Sequence, residues 1–128
     1  KYRVIRFPTQ KYYKLPEFYQ AADIAVFPKQ CSLSFYDVQA CGLPVVFEEN
    51  NINIDRSKYH NAITYRINDS DDFCKKIDFF ADMNKDEFNK YSREAHELVK
   101  NNYDYEKKAK EYIPWLEKQA IRKRKIIC

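Results

Sequence analysis

The sequence predicts an α/β fold: a parallel sheet whose strands and helices alternate through residues 1–67, then a helical part over 69–124. Three observations lead there. Two short apolar runs, Ile24 to Phe27 and Pro44 to Phe47, bracket a polar loop and a helix-length segment that stops at Gly42. Gly42 is the single glycine of the chain, and it stands where a helix must end and the chain reverse, a task for a residue that tolerates positive φ. From Asp69 onward, apolar residues recur at helical spacing.

Taken in order, Tyr2 to Phe7 reads as a strand, and Leu15 to Ala22 as a helix with Pro16 acceptable in its first turn. Asp23 introduces the first buried strand, Pro28 closes it, and the helix after the Lys29 to Ser34 loop runs to Gly42. Glu48 to His60 is irregular and rich in Asn and Asp, with room for a short helix near Arg56. Ala62 to Ile67 reads as an edge strand. Three helical patterns follow: Phe73, Ile77 and Phe80; then Phe88, Tyr91, Ala95, Leu98 and Val99; then Tyr105, Ala109, Tyr112, Ile113 and Leu116. Asp69 or Ser70 caps the first and Asp104 the last, while Pro114 is expected to kink or restart the final helix.

Composition narrows the function classes. At 128 residues, 45% hydrophobic and 16% aromatic, the chain is one domain's worth with enough apolar material for a core. It contains no run of 18 or more apolar residues and opens on no signal-peptide pattern. Its four cysteines, Cys31, Cys41, Cys74 and Cys128, lack CxxC or Cys/His spacing, so no metal site is expected. Cys41 and Cys74 read as small core residues, which points to a reducing, cytoplasmic setting. With one glycine, no Gly-rich phosphate loop is available. The net charge of +4 is mild, and the tyrosines show no RNA-binding pattern, so nucleic acid is not an expected partner. The tail 121–128 is basic and flanked by apolar residues. That suits a peripheral contact with anionic lipid, at about 1 kcal/mol per basic residue near the surface, or a solvated tail.

The β-loop-α-β order puts the Lys29 to Ser34 loop at the carboxyl end of a parallel strand, where open α/β sheets bind ligands. Ser32, Leu33 and Ser34 offer backbone N–H groups at a helix start, suited to a diphosphate. Equally, Ser34 with Asp37 fits the spacing of a capping box. Lys29 is a possible phosphate contact or a solvated lysine. Asp37 on its own only complements the helix dipole, worth roughly 0.3–1 kcal/mol. Cys31 has no histidine close in sequence to activate it, so it is not expected to be a nucleophile, and no catalytic residue is assigned. Glu48 and Glu49 read as solvated loop, and Asp55 as a partner for Arg56.

The run Pro28-Lys29-Gln30-Cys31-Ser32-Leu33-Ser34-Phe35-Tyr36-Asp37, followed by Ala40-Cys41-Gly42-Leu43-Pro44-Val45-Val46, resembles the donor-site signature of GT-B-fold glycosyltransferases of the retaining family 4. The likeness continues upstream through Lys14 to Asp23, and downstream through Ala62 to Arg66, Asn68 to Ser70 and Asn102 to Tyr105. It implies the later part of a Rossmann-like nucleotide-sugar-binding domain, without the acceptor domain and the first half of the donor domain. It also implies sugar transfer from a UDP- or GDP-linked donor to a glycan or lipid-linked acceptor, with no cofactor besides the donor. By that resemblance Asp37 accepts hydrogen bonds from the ribose hydroxyls, and Cys31, Ser32, Leu33 and Ser34 line the donor. Cys31 stands where the family carries a glutamate, and a thiol lacks the charge and paired acceptors of a carboxylate. The chain is therefore expected to be a fragment that is inactive alone. A GT-B-derived binding or assembly module without catalysis is the alternative.

Overall fold

The computed structural model describes residues 3–29 and 31–126, with the side chains of the last helix described as far as residue 121. Tyr2, Gln30, Cys128 and the side chains of the basic tail from Arg122 onward lie outside the described residues. A single 3₁₀ turn at Tyr12–Lys14 leads into α1 (Leu15–Gln20), then β1 (Ala25–Phe27), α2 (Ser34–Ala40), β2 (Val45–Glu48), α3 (Asn51–Arg56) and β3 (Ala62–Tyr65). Among the described residues three helices follow: α4 (Ser70–Ala81), α5 (Lys85–Asn102) and α6 (Tyr105–Ile126).

The three strands form one parallel sheet in the order β1-β2-β3. Val26 pairs with Val46, and Val46 in turn with Ile63. β2 is central and covered on both faces, which is why its Val45, Val46 and Phe47 form an unbroken apolar run rather than an alternating one. Their side chains alternate between two cores. Val45 and Phe47 meet Phe35 and Val38 of α2, Leu43, and Leu98 of α5. Val46 faces the other way, toward Tyr65, Phe80 of α4 and Tyr91 of α5. Burying one such large apolar side chain contributes about 1.5–3 kcal/mol. α5 therefore spans both cores and fixes α2 against the sheet.

The helix boundaries follow local chemistry. Gly42, at φ +76, ends α2, and its N–H bonds the Gln39 carbonyl. Asn50, Asp69 and Asn84 cap α3, α4 and α5 through their side chains, and the Asp104 carboxylate receives the Lys107 N–H at the start of α6.

Several expectations need correction. Residues 3–7 form no strand: Val4, Ile5 and Phe7 are exposed, no described segment pairs with them, and Phe7 instead meets Phe18 edge-on at 5.2 Å. A strand needs a neighbouring ladder as well as a pattern, and none is present there. The Glu48 to His60 stretch does hold the short helix expected near Arg56, as α3, but it is less irregular than expected because Glu48 ends β2. Cys41 and Cys74 are exposed rather than core, because Cys41 lies just past the end of α2 and Cys74 on the outward side of α4. Pro114 sits inside α6 without restarting it. α6 leaves Tyr112, Ile113, Trp115 and Leu116 more than half exposed. Among the described residues, no helix is long and apolar enough to cross a membrane.

Candidate functional site

All three strands point their carboxyl ends at the same rim, and the candidate residues lie along it. β1 ends at Phe27, and after Pro28 the chain turns through Lys29 in a left-handed conformation, φ 56. A lysine held there costs about 1–2 kcal/mol, so the turn is imposed by its surroundings. The loop then enters α2 differently from the expected capping box. Leu33 is the N-cap and makes no side-chain cap. Ser34 is already helical, and its N–H bonds Ser32 Oγ at 3.2 Å. The next two amides are also used, Phe35 N–H on the Ser32 carbonyl and Tyr36 N–H on the Leu33 carbonyl. Of the three amides proposed for a diphosphate, those of Ser32 and Leu33 bond no acceptor among the described residues, while that of Ser34 is taken.

Asp37 lies in the first turn of α2, and its Oδ1 accepts the Tyr12 hydroxyl at 3.0 Å. That hydrogen bond, reinforced by the carboxylate charge, raises the Tyr12 pKa above 10.0. Tyr19 is raised chiefly by burial and then by the same charge. The segment before β1 therefore folds over the motif helix and places two phenols around Asp37. Nothing in the residue pattern linked Tyr12 to Asp37, because the contact joins segments 25 residues apart.

A second residue of the site was read from the sequence only as a partner for Asp55. Arg56, the last residue of α3, reaches back to the loop, and its Nη1 donates to Cys31 Sγ at 3.3 Å and to the Ser32 carbonyl at 3.1 Å. Its guanidinium carbon lies 4.9 Å from the centre of the Phe35 ring and 5.0 Å from that of Tyr36. Asp55 does not pair with it; it bonds Lys58 at 2.6 Å. Cys31 thus meets an arginine rather than a histidine. His60 stacks on Tyr91 at 3.8 Å, and His96 Nδ1 lies 2.8 Å from the Ala40 carbonyl.

Beside the loop, on the α4 side of the sheet, a cleft of about 300 Å³ opens between Lys29, Glu48, Tyr65, Asn68 and Ser70. Glu48 is not the solvated loop residue expected: it ends β2, and its Oε2 accepts the Asn68 N–H at 3.2 Å. Burial first, then the Glu48 charge, raises the Tyr65 pKa. Lys29 is exposed where it borders this cleft. Asp37 and Arg56 lie on the other side of the loop, at α2 and α3. Among the described residues, no group of three His, Cys, Asp or Glu side chains stands close enough to hold a metal ion.

The arrangement can accept hydroxyl hydrogen bonds at Asp37 and offer N–H donors at Ser32, Leu33 and Arg56 to an anion. No protein-family model, curated protein or solved structure matches this chain, so its site rests on this geometry.

Proposed function

We propose that this chain is the nucleotide-sugar-binding part of a GT-B-type glycosyltransferase, its sheet being the later half of a Rossmann-like donor domain. One observation carries the reading most directly. A carboxylate in the first turn of the helix after β1, at the carboxyl rim of a parallel sheet, already accepts a hydroxyl, as reading a ribose requires. In this reading Asp37 takes the ribose hydroxyls in place of Tyr12. The amides of Ser32 and Leu33, which bond no acceptor among the described residues, face the diphosphate, Lys29 adds positive charge from the cleft on the opposite side of the loop, and Cys31 and Ser34 border the sugar. Transfer goes from a UDP- or GDP-linked donor to a glycan or lipid-linked acceptor held by a second domain, with the departing diphosphate stabilised electrostatically. The work is done at the cytoplasmic side of a membrane, to which the basic tail adds a peripheral contact. The donor is the only cofactor-like molecule required.

The test is an amide-resolved NMR titration with UDP, GDP and ADP. Shifts centred on residues 31–37 that favour one base and vanish in Asp37→Ala are expected. A spectrum unmoved at millimolar nucleotide overturns the reading.

A second reading, a binding or assembly module without catalysis, is favoured by Cys31, whose sulfur engages Arg56 rather than presenting a carboxylate. If so, the nucleotide sugar binds no more tightly than its nucleoside diphosphate. A sugar-specific gain in affinity supports the enzyme instead.

A further inference from the structure

The fold treats two arginines, Arg66 and Arg56, differently. Arg66, on the surface, is neutralised by Asp69 at 2.9 Å and Asp72 at 3.7 Å. Arg56 is partly buried, its neighbour Asp55 is committed to Lys58, and no ion pair involves it among the described residues. Its Nη1 donates to two neutral acceptors, the Cys31 thiol and the Ser32 carbonyl. Its Nε is buried without a hydrogen-bond partner, and its Nη2 donates to no acceptor among the described residues. A cation partly withdrawn from water with no counter-charge is unfavourable, and the deficit is relieved by an anion.

Arg56 is also fixed in place. α3 is capped at its start by Asn50, whose side chain accepts from Ile52 N and Asn53 N. Asn53 Nδ2 donates to the Glu48 carbonyl at 2.8 Å and ties the helix to β2. At the other end the Phe35 and Tyr36 rings hold the guanidinium. A planar fork of N–H donors held this way suits phosphate oxygens, and little side-chain entropy remains to be lost on binding.

We propose that Arg56 binds the phosphate oxygens of the ligand seated at the 31–34 loop, which makes it a donor-binding residue contributed by α3. The assignment rests on the donor-site reading above, because that reading brings a diphosphate to this loop. It gives Cys31 a physical role as well. A carboxylate at position 31 would neutralise Arg56 within the protein, whereas a thiol orients the guanidinium and leaves its charge for the ligand.

The experiment is an NMR titration of this chain with inorganic pyrophosphate and, separately, with UDP and GDP. Pyrophosphate is expected to move the Arg56 side-chain Nε–H and the amides of residues 31–34. Arg56→Met keeps an aliphatic stem over the two rings and removes the charge. Loss of one charge-assisted contact predicts binding about tenfold to a hundredfold weaker. Arg56→Lys keeps charge without the fork and is expected to fall between the two. Thermal melting of each variant confirms that it is folded before binding is compared. Wild-type affinity for pyrophosphate in folded Arg56→Met, or no wild-type response at millimolar pyrophosphate, overturns the proposal. The underlying reading fails separately. Nucleotide shifts around Asp37 that keep their wild-type midpoint in Arg56→Met refute Arg56 alone. Pyrophosphate binding that needs Arg56 but gains nothing from a nucleoside supports Arg56 and refutes the donor site.

Discussion

Replacing Gln39 by Leu should destabilise this chain far more than the similar size of the two side chains suggests. Gln39 and Asn61 are both completely buried, a rare placement for amides. Gln39 Nε2 donates to the Leu43 carbonyl at 2.8 Å and to the Asn61 carbonyl at 3.2 Å, and Asn61 Nδ2 donates back to Gln39 Oε1 at 2.5 Å. The pair clasps the last turn of α2 to the entrances of β2 and β3. In Gln39→Leu the Leu43 carbonyl and the Asn61 amide lose these bonds without gaining water, at about 1–3 kcal/mol per stranded group. The Asn61 carbonyl is spared, because Val45 N–H also bonds it at 3.3 Å. A modest hydrophobic gain offsets part of the loss, leaving a destabilisation of about 2–4 kcal/mol. For a chain of this length that lowers the melting temperature by roughly 7–15 °C. Asn61→Leu should cost less, since Asn61 Oδ1 is already buried without a partner and Gln39 Nε2 keeps its bond to Leu43. Urea denaturation followed by circular dichroism, on both single variants and the double variant, measures the cycle. The coupling between the two sites should be about 1–3 kcal/mol. A Gln39→Leu loss below about 1 kcal/mol, or strictly additive effects, would refute the clasp as a source of stability.

Gly42→Ala is expected to cost about 2 kcal/mol, from the left-handed φ of +76 and from a new Cβ that would meet Ser92 Oγ at 2.9 Å. Adding Ser92→Ala should recover only the contact, since the strained φ remains; unchanged melting in Gly42→Ala would count against the turn assignment. Stability should also fall at both pH extremes. The tyrosines Tyr65 and Tyr91, raised chiefly by burial, hold their protons more tightly folded than unfolded. Their contribution is therefore complete below the unfolded value of 10.0 and is lost as pH climbs through the folded value. Asp72 is the opposite case, lowered from 3.8 mainly by the Arg66 N–H bonded to its Oδ2. Its contribution is present above 3.8 and is lost as pH falls through the folded value. Melting temperature against pH should show both declines, and Asp72→Asn should flatten the acid one alone; an unaltered acid limb would refute that assignment.

Much of the local structure was legible in the chain. The β-loop-α-β unit around Ser34, the stop at Gly42, the caps at Asp69 and Asp104 and the long carboxyl-terminal helices all follow from short-range rules of propensity, capping and periodicity. These act within a few residues, so a sequence states them outright. The strand expected near residue 5 failed because a strand also needs a partner, which no local pattern supplies. The cysteine placements failed for a related reason. Apolar character puts a residue on a list of core candidates, but the packing of α2 and α4 decided that Cys41 and Cys74 face outward.

The candidate site divides along the same line. The sequence by itself determined that Lys29 to Asp37 lies at the carboxyl end of a parallel strand, because the order of elements fixes which rim the loop occupies. Only the tertiary structure decided what surrounds it: Tyr12 on Asp37, Arg56 on Cys31 and Ser32, and Glu48 at the rim of the adjoining cleft. Tyr12 and Arg56 each reach across 24 or 25 residues of chain. Their side chains are brought there by burial of Phe35, Val38 and Phe47 in one core, a cooperative effect of packing that no single stretch of sequence encodes.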